Sequence, residues 1–117
     1  MELVLPAERE SRKRIPMASG LLDYFPSALA EVAFVSFIGN EIHNPGEPLH
    51  HSRGKSMDNA DCIIRHLADR GEFDLVRLPD GTEFRVRHSA YVAWRALALL
   101  QLELEAAGAP IARGAKV

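Results

Sequence analysis

The chain has 117 residues, 47% of them hydrophobic and 26% charged, with a net charge of −2. One domain with a modest core is the expectation, and a disordered chain is excluded. The acidic balance argues against a nucleic-acid polymer as partner, whereas local cations leave an anionic small molecule open.

Residues 1–19 are polar, charged and broken by Pro6 and Pro16, which predicts a flexible arm. Its basic cluster, Arg9, Arg12, Lys13 and Arg14, reads as a solvated face, with phosphate contact as the alternative. The segment lacks the apolar centre of a secretory signal. No window reaches the run of about 18 apolar residues that spans a bilayer. Cys62 is the one cysteine, so no disulfide forms within the chain and no thiolate zinc site can be built from it alone. A cytoplasmic location, without a membrane, is the expectation.

A first long helix is predicted from Pro26, since proline suits a first helical turn. It carries Leu29, Val32, Ala33, Val35, Phe37 and Ile38, apolar on more than one face and so buried between neighbours. A strand competes there, but the length and the Ala/Leu/Glu lead-in favour helix. Asn44-Pro45-Gly46 and Glu47-Pro48 forbid helix through residues 45–55. A second helix is predicted from an N-cap at Ser56, through Asp58, Asp61, Ile63, Ile64 and Leu67, to a stop near Gly71. Residues 73–87 read as a β-hairpin turning at Asp80-Gly81.

A last helix is expected from Ser89 to about Ala107, ended by Gly108 and Pro110 and followed by a polar tail over residues 109–117. It has so little polar face that it must form the centre of the bundle or meet another subunit. The architecture that follows is mainly α: a compact bundle of three main helices with a small peripheral β-hairpin. Residues 20–108 form its single domain.

Residues 39–67, GNEIHNPGEPLHHSRGKSMDNADCIIRHL, concentrate polar chemistry between two apolar segments. Asp58, Asp61 and Arg65 stand at i, i+3 and i+7 and share a helix face. Two carboxylates one turn apart can hold a hard divalent cation. The plainer account makes them first-turn acids favoured by the helix dipole, with Asp61 paired to Arg65.

Glu31 lies among apolar neighbours in LAEVAF, where a lone carboxylate is costly unless paired or metal-bound. A simple surface position is its alternative. Glu41 closes the first helix beside Asn40 and His43, placed for a metal or for substrate. Arg53 and Lys55 flank Gly54 just before a helix N-terminus, which suits a phosphate although the spacing is not that of a Walker loop. His50 and His51 are loop residues able to contact substrate. His66 reads equally as an interior histidine or a ligand, and His88 could reach the same cavity. Acids on two helices with adjacent cations are what metal-assisted phosphoanhydride hydrolysis needs.

The same stretch, followed after the hairpin by RHSAYVAWRALALLQLELE, resembles the N-terminal domain family of phage dATP/dGTP diphosphohydrolases. That family is related in outline to the MazG-like all-α pyrophosphohydrolases. The resemblance covers roughly residues 22–105. Its most specific pieces are GNE-x-HNPG, the RGKS-x-D turn, DCI-x-RHL and AWRALALLQ.

It implies hydrolysis of a purine deoxynucleoside triphosphate to monophosphate and pyrophosphate, with Mg²⁺ or Mn²⁺ as cofactor. On the combined reading, Glu31, Glu41, Asp58 and Asp61 are the expected metal ligands. Glu41, Asp61 and His43 are the expected catalytic residues. Asn40, His50, Arg53, Lys55 and Arg65 are expected to bind substrate. A homo-oligomer through the last helix is the expected assembly. Two alternatives belong to other classes: a non-catalytic phage or prophage nucleotide-binding module, and a structural interaction protein.

Overall fold

The computed structural model describes residues 5–55 and 57–116. The fold is mainly α with a small β-hairpin, as the sequence predicts. A short helix α1 (Arg9–Lys13) and a π-helical turn (Ala18–Leu22) precede α2 (Pro26–His43). Neither buries a residue. The chain then runs through β1 (His51–Ser52), a 3₁₀ turn (Arg53–Lys55), α3 (Asn59–Ala68), β2 (Phe73–Arg77), β3 (Glu83–Arg87), α4 (His88–Ala106) and β4 (Ala115–Lys116).

Helix α2 starts with Pro26 in its first turn, where a missing N–H costs nothing. The predicted cap Ser56 lies outside the described residues. Helix α3 begins later than expected, at Asn59, with Asp58 in the N-cap position.

The core is small. Val35 and Ile38 of α2 meet Val76, Leu78 and Val86 of the hairpin and Ala90 of α4, with Phe34, Phe84, Tyr91 and Trp94 around them. Ile38 and Val86 are the most enclosed, at 2% and 1% exposure. The hairpin alternates, so that Val76 and Val86 point inward while Leu75 and Arg85 stay exposed. Residues of β2 and β3 pair from Phe73 with Arg87 to Arg77 with Glu83. Gly81 takes φ +89° at the turn, a conformation that strains any residue with a Cβ.

Helix α4 is the hub, because α2 and α3 each pack chiefly on it. Two polar bonds fix these contacts. Trp94 Nε1–H donates to Ser36 Oγ on α2 at 2.7 Å. Arg95 Nη1 donates to Asn59 Oδ1 on α3 at 3.1 Å. Cys62 is a buried free thiol on α3. The C-terminal residues are more tied down than a polar tail suggests: β4 pairs in parallel with β1, His51 opposite Ala115. Among the described residues, no single helix is long and apolar enough to cross a membrane.

Candidate functional site

The polar crowd of residues 39–67 is, first, a device that folds the loop back on α2. Asn40 and Asn44 are both buried. Asn40 Nδ2 donates to the Glu47 carbonyl at 3.0 Å, and Asn44 Nδ2 donates to Asn40 Oδ1 at 3.1 Å. Ser52 Oγ stands 2.9 Å from Asn44 Oδ1 and 2.8 Å from His50 Nε2. The other ring nitrogen of His50 faces the Pro48 carbonyl at 2.8 Å.

Lys55 completes the arrangement. Its ammonium donates to the His43 carbonyl and, at 3.1 Å, to Asn44 Oδ1. A cation on the last carbonyls of a helix satisfies an orphan acceptor and complements the negative end of the dipole. Turn chemistry (Pro45, Gly46 and Pro48) sends the chain back, and the two asparagines supply the backbone's missing partners.

Arg53 is not free to seek phosphate. Its guanidinium meets the Glu105 carboxylate of α4 in two parallel bonds, Nη1 to Oε1 at 2.5 Å and Nη2 to Oε2 at 2.8 Å. Both side chains are enclosed, at 8% and 5% exposure. Glu105 also accepts from Gln101 Nε2 at 2.7 Å and from the Ala112 N–H at 3.1 Å. Bonding to Arg53, then to Gln101, holds its pKa down at about 2. A sequence reading of Arg53 as a loop cation misses this, because the partner lies 52 residues away.

The expected metal ligands do not converge within one chain. Asp58 Oδ2 accepts from Arg65 Nη2 at 3.0 Å, so the salt bridge joins Asp58 to Arg65 and not Asp61 to Arg65. Asp58 precedes the first helical residue, and the long arginine reaches back across two turns. Glu31 is exposed, with exposed Ala30 and Ala33 beside it, so its carboxylate escapes the burial that suggested a ligand. Glu41 is half-buried at the last turn of α2, the His43 side chain is exposed, and Asp61 is exposed on α3. Acids on α2 and α3 are separated because those helices pack on α4 instead of on each other. Among the described residues, no group of three or more His, Cys, Asp or Glu side chains is placed to hold a metal ion.

A second cluster joins His66 and His88, two histidines that the sequence reading allows to reach one cavity. His66 of α3 and His88 of α4 meet through their Nδ1 atoms at 2.8 Å, one donating and the other accepting. Tyr91 packs against His66 with ring centroids 4.6 Å apart and planes tilted by 33°, and donates its hydroxyl to Asp74 Oδ2 at 2.9 Å. Burial, then the neighbouring His88, lowers the His66 pKa; Arg65 and Arg95 act in the same direction and Asp74 opposes them. Burial, then the bond to Asp74, raises that of Tyr91. The hairpin was the available signal. A tight antiparallel pair returns the chain to its starting point, and the His88 N–H duly donates to the Glu72 carbonyl at 3.2 Å.

His51 packs edge-on against Trp94, with ring centroids 4.7 Å apart. Burial, then Arg53 and Arg95, lowers its pKa. No protein-family model, no curated protein and no solved structure matches this chain.

Proposed function

We propose that the chain is a subunit of a nucleotide pyrophosphohydrolase that cleaves a purine deoxynucleoside triphosphate to monophosphate and pyrophosphate. The reading rests on the resemblance over residues 22–105. One structural observation supports it: Glu31 and Asp61 are exposed and Glu41 half-buried, and among the described residues none of the three takes part in the bonds that build the loop. An interior scaffold has no need of these acids.

In this reading, Glu41 and Asp61 are the acid–base groups and the exposed imidazole of His43 orients substrate or water. The Arg65 side chain is 60% exposed, and its surface pairing with Asp58 is readily exchanged for substrate. Mg²⁺ or Mn²⁺ belongs to the proposal as cofactor, its ligands gathered from substrate phosphates or from more than one chain.

A second reading, a non-catalytic nucleotide-binding or structural module, is favoured by a different observation. Arg53, Lys55 and Arg65, the cations expected to hold a triphosphate, all bond to this chain's own groups. The experiment is pyrophosphate release from dGTP and dATP with Mg²⁺ or Mn²⁺. Hydrolysis that is lost in Asp61→Asn supports the first reading. A rise in melting temperature with dGTP, without turnover, replaces it with nucleotide binding. Neither effect in a folded protein removes both nucleotide readings.

A further inference from the structure

Two imidazoles from different helices share one proton at the foot of the hairpin. His66 of α3 and His88 of α4 are 22 residues apart in the chain, yet their Nδ1 atoms stand 2.8 Å from each other. The separation is set from outside the pair. The His66 ring lies against Tyr91, whose hydroxyl is anchored on Asp74 of β2. The His88 N–H is fixed on the Glu72 carbonyl, where the hairpin begins. His66, His88, Tyr91 and Asp74 are all half-buried, so the ring nitrogens are held by their surroundings and still reached from solvent.

Two imidazole nitrogens at this distance are also a chelate. A divalent transition-metal ion binds an imidazole nitrogen at about 2.0–2.1 Å. Two such bonds at a right angle set the nitrogens about 2.9 Å apart, and at the tetrahedral angle about 3.3 Å. The pair therefore stands close to the bite of a single ion. As they stand, the nitrogens face each other across a proton, with the ring planes tilted by 32°. To hold an ion, each ring turns about its Cβ–Cγ bond until both lone pairs converge on one point. The ring that carries its proton on Nδ1 gives it to water and takes one at Nε2. A neutral pair thus binds the ion without net release of a proton.

The surrounding charges are mixed. Burial, then His88, lowers the His66 pKa and favours the neutral form that a metal requires. Asp74 faces the same ring and favours a cation there, whereas Arg65 and Arg95 oppose one. Neutral imidazoles suit Cu²⁺, Ni²⁺ and Zn²⁺, while Mg²⁺ takes oxygen ligands. The chain fills two positions of the ion, and water or an incoming ligand fills the others.

We propose that His66 and His88 chelate one divalent transition-metal ion, Cu²⁺ before Ni²⁺ or Zn²⁺, through their Nδ1 atoms. The site is independent of the hydrolase reading, which places Mg²⁺ or Mn²⁺ among carboxylates and substrate phosphates.

The test is calorimetric titration of the full chain with CuCl₂, NiCl₂, ZnCl₂ and MgCl₂ at about pH 7.5, beside electron paramagnetic resonance of the first Cu²⁺ bound. The expected order is Cu²⁺ above Ni²⁺ and Zn²⁺, with no heat from Mg²⁺, and the Cu²⁺ spectrum should carry the hyperfine structure of two ring nitrogens. His66→Gln and His88→Gln should each weaken the first Cu²⁺ at least about tenfold, because a chelate becomes a single bond. A spectrum of the unaltered chain with fewer than two nitrogens overturns the proposal, whatever the variants do. So does a folded variant that binds Cu²⁺ as tightly as the parent, or a chain that binds Mg²⁺ in preference.

Discussion

Arg53 and Glu105 grip each other through two bonds of 2.5 and 2.8 Å, and the pair fastens the loop after α2 to the end of α4. The Ala112 N–H joins the same carboxylate, so three separate stretches of chain meet at one anion. A guanidinium enclosed in this way is tolerable only while its counter-ion is present.

Removing that counter-ion should therefore be damaging. Glu105→Ala leaves Arg53 buried and unpaired, and the melting temperature should fall by about 10 °C or more. Differential scanning calorimetry at neutral pH reads the shift. The pH dependence has a defined sign. Because the folded pKa of Glu105 is depressed to about 2, its stabilisation is present above the ordinary carboxylate range and is lost as pH falls from about 4.5 towards 2. Glu105→Gln should flatten the acid limb of the melting curve.

His66 acts nearer neutrality. The pKa of His66 is lowered in the fold, so the unfolded chain binds more protons just below the ordinary histidine value. Stability is fully present above about 6.5 and declines as pH falls below it. His51 contributes with the same sign. Urea melts between pH 7.5 and 5.5 should show the decline, with a shallower slope in His66→Gln. An equal slope in that variant would show that the His66–His88 bond carries no part of it.

Lys55 is a helix cap in this structure. Lys55→Met keeps the aliphatic stem but removes the donor to the His43 carbonyl and to Asn44. A loss of about 1 kcal/mol is expected, with faster amide exchange localised to residues 43–55. If dGTP affinity fell while stability and exchange stayed unchanged, Lys55 would be a phosphate ligand after all.

The core prediction concerns Ile38, which is almost wholly enclosed by the hairpin and by α2's own neighbours. Ile38→Ala should cost about 3 kcal/mol in chemical denaturation. A loss below about 1 kcal/mol would mean the hairpin readily collapses onto the vacated space.

Local rules made the elements legible. Pro26, the Pro45–Pro48 turns, Asp80-Gly81 and Gly108 are each next to the boundary they cause, and the helices and hairpin follow. Relationships set by tertiary closure were not legible. Arg53 looked like a free loop cation because nothing near it in sequence identifies Glu105 as its partner. Glu31 looked buried because its neighbours are apolar, yet that part of α2 extends beyond the small core. His66 and His88 could be read as reaching one cavity, but their direct bond depends on the hairpin's closure and has no local signal. The polar density of residues 39–67 did not by itself separate groups that hold the loop from groups left accessible.

That separation is the central claim: Asn40, Asn44, Arg53 and Lys55 build the scaffold, while Glu41 and Asp61 stand apart from it. The most direct measurement compares the melting temperatures of Arg53→Met and Asp61→Asn with that of the unaltered chain. The account predicts a fall of about 10 °C for Arg53→Met and a change within about 2 °C for Asp61→Asn. Comparable losses in both variants would contradict it, as would an Arg53→Met protein that melts like the parent.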